Sequence, residues 1–452
     1  MNIKTCKDKV WIRNGKTSFN LFFILIFLNI IIFNTKMFSF SLSTPVQLSD
    51  GSINSSSAIV VSNDSGQAAA IWITCDSYEN FDAQAAVYTS GAWSAPVTLG
   101  SGNTPVISIN DSGDVVAAWI NLLYPTEEGA VPQICGATYS HTAGSWSSSV
   151  QISNAAKNAF MPALSNDDTG NPIATWVEQC NCTDDCTCTL IACSMYSSST
   201  YSWSTPTYFT SCESHTKRAE SPSLYVNGSG QVMMFWAESC SPSGLCDLVG
   251  KTYENSAWSD PTVIASNLWM EEIYSGGIDE TGKAMVVWQA KTDSSVNVQA
   301  ATYSQGTWSN PAIVIDEPLN FVFGYGLGGN GILVWDIHTN DGNIIYAMTY
   351  SDGAWSPISI ISSQTGNAGN PRVAAGGTNG GAVMWGNETD AGYVQLKSLS
   401  DGSWSQVLEE PVHLQRSPVS YNLTVNSSGQ IIAVWDDIVD GVNIIMTTTG
   451  VI

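Results

Sequence analysis

Over no long stretch of this chain do apolar residues recur every three to four positions, the spacing of a helix facing a core. They come in short runs instead. Each run opens with a glycine and closes with a tryptophan: Gly66 to Trp72, Gly113 to Trp119, Gly170 to Trp176, Gly230 to Trp236, Gly282 to Trp288, Gly329 to Trp335, Gly380 to Trp385 and Gly429 to Trp435. Residues 114–120, Asp-Val-Val-Ala-Ala-Trp-Ile, are typical: apolar at consecutive positions, as in a strand buried on both faces. A segment like 105–110 precedes each run and ends in a turn such as Asn110-Asp111-Ser112-Gly113. Those residue types accept the positive φ that hairpin turns require. A third strand follows, as at 84–90, and then a second marker. This is a tryptophan-serine pair at Trp93-Ser94, Trp146-Ser147, Trp203-Ser204, Trp258-Ser259, Trp308-Ser309, Trp355-Ser356 and Trp404-Ser405. The strand it opens, 93–99, contains Pro96, which cannot donate to a ladder and so belongs at an edge.

The unit therefore holds four strands, A to D, and repeats about every fifty residues, the period of a β-propeller blade. Eight B strands predict an all-β, eight-bladed β-propeller of four-stranded antiparallel blades. The ends of the chain carry the closure. A D-type strand at 43–49 precedes any A strand, and the chain finishes on a C-type strand at 443–449. Each partial unit supplies what the other lacks, so the N-terminal strand is expected to complete the last blade. An open solenoid would leave both unpaired. One tryptophan per blade at a fixed position is what blade packing asks for, and these residues are read as structural.

The first 43 residues stand apart. Lys4, Lys7, Lys9, Arg13 and Lys16 precede an apolar run from Leu21 to Phe33, and Ser39-Phe40-Ser41 and Ser41-Leu42-Ser43 follow. That order is expected of a signal peptide, 1–43, ahead of a single propeller domain, 44–452. The run is short for a membrane span of about 20 residues. If the segment stays uncleaved it becomes a membrane anchor. The expected location is secreted, periplasmic or cell-surface.

The chain carries a formal net charge of −24. Such a surface repels nucleic acid and anionic lipid. The acidity serves solubility first. Calcium-loop and phosphate-loop patterns are absent from the sequence, as are serine-hydrolase and zinc-protease motifs. His141, His215, His338 and His413 are scattered. No cofactor and no metal site is expected.

Antiparallel strands alternate direction, so the short A–B and C–D turns share one face of the disc. The B–C and D–A loops, variable in length and chemistry, share the other. Function is expected on that variable face. Two groups fall there. Past the leader the cysteines are Cys75, Cys135, Cys180, Cys182, Cys186, Cys188, Cys193, Cys212, Cys240 and Cys246, an even number suited to disulfides in an exported chain. Cys240–Cys246 and Cys75–Cys135 are candidate links, which leaves six around 180–212 for three bridges of open pairing. The Cys-x2-Cys spacing usual for zinc is missing. The second group is Arg218, Arg372 and Arg416, all near prolines where D–A loops enter A strands, and candidates for binding an anionic ligand group.

Residues 303–311 and 350–358 resemble degenerate Asp-box turns of sialidase-type propellers, and Arg416-Ser417-Pro418 with the strand after it is similar to that family's Arg-Ile-Pro segment. The resemblance implies that Arg416 binds a carboxylate. Arg372 and Arg218 are candidates by location alone. It departs in blade number, six in that family against eight here, and no residue matches the family's nucleophilic tyrosine or its aspartate acid. Glu178, Glu238, Asp336, Asp436 and Asp437, just past the B-strand tryptophans, are expected as solvated strand ends. Quinoprotein propellers carry adjacent cysteines, and none occur here. The expected function is a non-enzymatic, protein- or glycan-binding module working through the variable face. The alternative is a sialidase-like glycosidase using the arginines.

Overall fold

The computed structural model describes residues 41–76, 80–121, 131–166, 171–180, 188–197, 199–200, 202–211, 218–238, 245–269, 274–291, 296–316, 321–339, 342–363, 367–377, 380–387, 393–411 and 420–452. Among them the regular elements are all strands, in eight antiparallel sheets set in a ring.

Blade 1 shows how the pattern becomes structure. Its A strand is Asn54–Ser62, B is Ala68–Cys75 and C is Phe81–Thr89, paired in that order. The B strand is apolar at successive positions because both of its faces meet a neighbouring blade. Ala68 to Trp72 are each no more than 1% exposed. The eight B-strand tryptophans are the largest fully buried side chains among the described residues. Each carries about 150–250 Å² into the core, which is why one per blade suffices to hold the seams together.

The D strand differs from expectation. It is two short pieces, Ala92–Trp93 and Val97–Ser101, both paired to strand C. Between them Ser94 takes over the ladder. Its N–H donates to the Val87 carbonyl at 2.8 Å, its Oγ accepts from the Val87 N–H at 3.2 Å, and its Oγ–H donates to the Ala95 carbonyl at 3.0 Å. Pro96 follows and needs no acceptor. The same Oγ acceptance recurs at Ser147, Ser204, Ser259, Ser309, Ser356 and Ser405. In six of the seven copies the tryptophan beside the serine packs on a C-strand tyrosine, as in Tyr88–Trp93 at 5.3 Å and Tyr350–Trp355 at 5.2 Å between centroids, while Trp404 faces Leu399. The tryptophan-serine marker is thus a device for interrupting an edge strand without orphaning its backbone.

Closure follows the expected scheme. Blade 8 is A Tyr421–Val425, B Gln430–Val439 and C Val442–Val451, and its fourth strand is Val46–Gln47 from the N-terminus. Val46 pairs Thr447 and Gln47 pairs Met446. Ser43 reproduces the serine device: its N–H donates to the Thr449 carbonyl at 2.7 Å and its Oγ accepts from the Thr449 N–H at 3.0 Å. Leu42 bridges Gly450 and packs into the seam cluster of Trp435, so it stands where the other blades have tryptophan. The ladder thus takes in Leu42 and Ser43, on the N-terminal side of the boundary expected at 43/44.

On the turn face an asparagine or aspartate opens most A–B turns. Asn63 accepts from the Gln67 N–H at 3.0 Å, and its amide donates to Asn110 O of blade 2 at 2.9 Å. Asn227 reaches Asp279 O at 2.9 Å, and Asn426 of blade 8 reaches Asn63 O of blade 1 at 3.0 Å. One residue type per turn thus serves both its own hairpin and the ring.

Candidate binding site

The innermost A strands run from the variable face toward the turns. Five of them break register just after they start. The bulges fall between Ser56 and Ile59, Asn103 and Val106, Phe160 and Ala163, Glu220 and Ser223, and Gly369 and Arg372. Each holds a non-glycine residue in the left-handed region: Ser57, Thr104, Met161, Ser221 and Asn370, with φ between 51° and 60°. Four of the five precede proline. Such a residue costs about 1–3 kcal/mol of backbone strain and persists only where its surroundings fix it. Two of the fixing groups are tyrosines of the next blade. The hydroxyl of Tyr274 in blade 5 donates to Ser221 O, and that of Tyr421 in blade 8 donates to Gly369 O at 2.9 Å and to Asn370 O. Burial pushes the Tyr274 phenol far above its ordinary range, so it stays a donor. All five bulge residues are exposed. The sheet faces are covered by neighbouring blades, so these side chains open on the axial channel at its variable-face mouth.

The arginines do not occupy equivalent places. Arg218 lies ahead of the blade 4 A strand, Ala219–Val226, and sits 3.8 Å from Glu220. Arg372 lies inside the blade 7 A strand, Ala368–Gly376, directly after the bulge. It is exposed, donates to its neighbour Pro371 O at 3.2 Å and lies 5.8 Å from the Tyr421 ring centroid. Arg416 is outside the described residues, as are Cys182, Cys186, Cys212, Cys240, His215 and His413.

Among the cysteines, Cys180 and Cys246 are disulfide-bonded. Cys135 is a free thiol raised by burial, so the Cys75–Cys135 link is not formed in this structure. Cys193 is also free. It lies within the blade 3 C strand, Thr189–Ser197, with its side chain in the seam to blade 4, where burial pushes its thiol up to about 12. A cysteine that points into a packed seam cannot reach a loop partner. Cys75 and Cys188 are half-buried and buried.

The acidic strand ends are not solvated as expected. Glu178 is 0% exposed, Asp436 4% and Asp437 3%. Glu178 organises a cluster that sequence reasoning missed. It accepts from Trp176 Nε1 at 3.1 Å and from the Tyr208 hydroxyl at 2.7 Å, and it pairs with Lys157 Nζ at 3.1 Å. Burial alone would lower the Lys157 ammonium, but the hydrogen bond and charge of Glu178 outweigh it and the net shift is upward. Burial first, and then Glu178, raise the Tyr208 phenol. The signal available in sequence was slight: blade 3 pairs a glutamate two places past the core tryptophan with one of the few lysines, in the D–A segment before it. Glu238 accepts from Trp236 Nε1 at 2.8 Å, and burial raises the Asp336 carboxyl. His141 contacts Gln67 and His338 contacts Asn343. Among the described residues no three His, Cys, Asp or Glu gather as a metal site.

No protein-family model matches the chain, and no curated protein matches it. Solved structures resemble it in fold. The α-L-arabinofuranosidase Arb93A of Fusarium graminearum, in complex with an iminosugar inhibitor, is 12% identical over 64% of this chain and 92% of its own, with a TM-score of 0.40. A Hadza microbial sialidase is 14% identical over 70% and 73%, at 0.37. The polysaccharide lyase Uly1 is 10% identical over 81% and 93%, at 0.48.

Proposed function

We propose that this protein is a non-enzymatic binding module, exported or held at the cell surface, that takes a glycan at the axial mouth of its variable face. The ring of inner-strand bulges carries the reading. Backbone strain repeated in five blades is hard to account for by packing alone, since blades 5 and 6 begin their A strands without it. What it achieves is to turn Ser57, Thr104, Ser221 and Asn370 outward around one opening, with Arg372 beside them. Hydroxyls, an amide and a guanidinium are the groups that bind sugar hydroxyls and carboxylates. The N-terminal cationic and apolar segment supports export.

The test is binding of the purified chain to arrayed neutral and carboxylate-bearing glycans. Retention that falls at least about tenfold in Arg372→Ala for the acidic members, and little for neutral ones, is the expected result. No retention of any glycan at millimolar concentration overturns the reading.

A sialidase-like glycosidase is the second reading. One observation favours it: Tyr208 donates to Glu178, and such an enzyme needs a tyrosine with a carboxylate partner. That pair lies in blade 3, four blades around from Arg372. Release of fluorophore from a fluorogenic sialoside, abolished by Tyr208→Phe, would replace the binding reading with this one.

A further inference from the structure

The seams between blades are not filled alike. Between blades 4 and 5, Phe235 directly precedes core Trp236, and its ring meets Trp308 of blade 5 at 5.7 Å between centroids. Between blades 3 and 4, Phe209 meets Trp258 at 4.9 Å. The seam between blades 2 and 3 holds a cavity of about 550 Å³. The walls come from the A–B turns at Asp114 and Asn171 and from the C–D turn at Ser140 and Ser145, so the cleft opens on the turn face, away from the axial mouth of the variable side.

We propose that this cleft is a binding site for a neutral sugar. Its volume falls within the ~300–1,000 Å³ usual for small-ligand pockets. Trp203 and Tyr196 of blade 3, packed edge-on at 5.5 Å, form an aromatic wall, and Trp146 stands across from them. Flat aromatic faces of this kind match the C–H face of a pyranose ring. Polar groups stand at the rim. Asp114 Oδ1 accepts from the His141 N–H at 2.7 Å, and among the described residues its second oxygen has no partner. Asn166, also in the lining, donates its amide to Ser108 Oγ at 2.7 Å, and an amide carbonyl can accept as well; Thr138 donates its hydroxyl to Ser147 Oγ at 3.4 Å on the blade 2 wall. The charge of the lining decides the class of sugar. Among the described residues it contains one carboxylate and no lysine, arginine or histidine. A sialic or uronic acid would place its carboxylate beside Asp114 with no cation in the described lining to pair it, whereas the hydroxyls of a neutral hexose can donate to Asp114. This site does not depend on the axial mouth or on Arg372.

The experiment is saturation-transfer NMR and titration calorimetry on the whole chain. The probes are methyl glycosides of galactose, mannose and fucose, with sialyllactose as the anionic comparator. At least one neutral glycoside is expected to bind, weakened about tenfold by Trp203→Leu and severalfold by Asp114→Asn. Trp355→Leu, the matched tryptophan of blade 6, and Arg372→Ala are expected to leave that affinity unchanged. Should Trp203→Leu fail to fold, Asp114→Asn and Thr138→Val carry the test, since both keep the packing. Binding of sialyllactose alone, equal losses in Trp355→Leu, or no binding of any neutral glycoside overturns the proposal.

Discussion

The two faces of this disc are built on opposite terms. On the turn face one residue type does the same work in blade after blade: Asn63, Asn227 and Asn426 each close their own hairpin and reach the next turn's carbonyl. On the variable face each blade is particular. Blade 3 holds a half-buried Lys157 against buried Glu178, blade 8 buries Asp436 and Asp437, and blade 7 leaves Arg372 exposed on Tyr421. Repetition distributes stability in small equal shares. Particularity concentrates it, so single changes on the variable face should be felt far more unevenly.

Glu178→Ala is the severest test of that contrast. It strands the buried indole N–H of Trp176 and takes the partner from the half-buried Lys157 ammonium and the Tyr208 phenol, and urea unfolding is expected to show a loss of about 2–4 kcal/mol. The double change Lys157→Met, Glu178→Leu should recover most of it. A loss for Glu178→Ala no larger than that of a turn-face asparagine would erase the difference between the faces. Asn63→Ala is the matched turn-face change and should cost about 1–3 kcal/mol, because it leaves the Gln67 N–H without its acceptor. Ser356→Ala, which removes one copy of the edge-strand device, should cost about 0.5–1.5 kcal/mol in the same assay.

The smallest effect is in pH. Lys157 and Tyr208 both hold their protons more tightly in the folded protein than their ordinary values of 10.5 and 10.0 imply. Folded protein then binds more protons than unfolded chain in the alkaline range, so the contribution is intact below pH 10 and is lost as pH rises through the raised values. Melting temperature should fall more steeply above pH 10 in the native chain than in Lys157→Met, Tyr208→Phe. Parallel curves would remove the cluster from the account.

What was legible in the sequence follows the same division. The blade count, the strand order and the closing strand were carried by Gly-to-Trp and Trp-Ser spacings, because a ring of equal blades forces equal solutions. The broken D strand was missed because a serine that supports a ladder and one that merely follows a tryptophan look alike in sequence. The bulges were missed because residues such as Thr104 and Met161 carry no glycine-like mark of positive φ. Nor could the burial of Glu178 be read, since its partners Lys157 and Tyr208 come from different segments and meet only once the blade 3 sheet has formed. The cleft between blades 2 and 3 was missed because its lining comes from turn and strand residues of two blades that meet only in the folded ring.

The serine at the head of the closing strand sets a timetable. Ser43 and Thr448, hydrogen-bonded at 3.2 Å, are 405 residues apart. At ~5–20 residues per second of synthesis, the first strand waits tens of seconds for its partner to be made. Seven blades can assemble in that interval. The eighth cannot, and its exposed edges persist until the last ten residues arrive. An unpaired strand bearing Val46 beside an unfinished ring is a ready template for a second chain. Premature termination near the C-terminus would therefore yield a nearly whole disc with two open seams, prone to join its copies edge to edge.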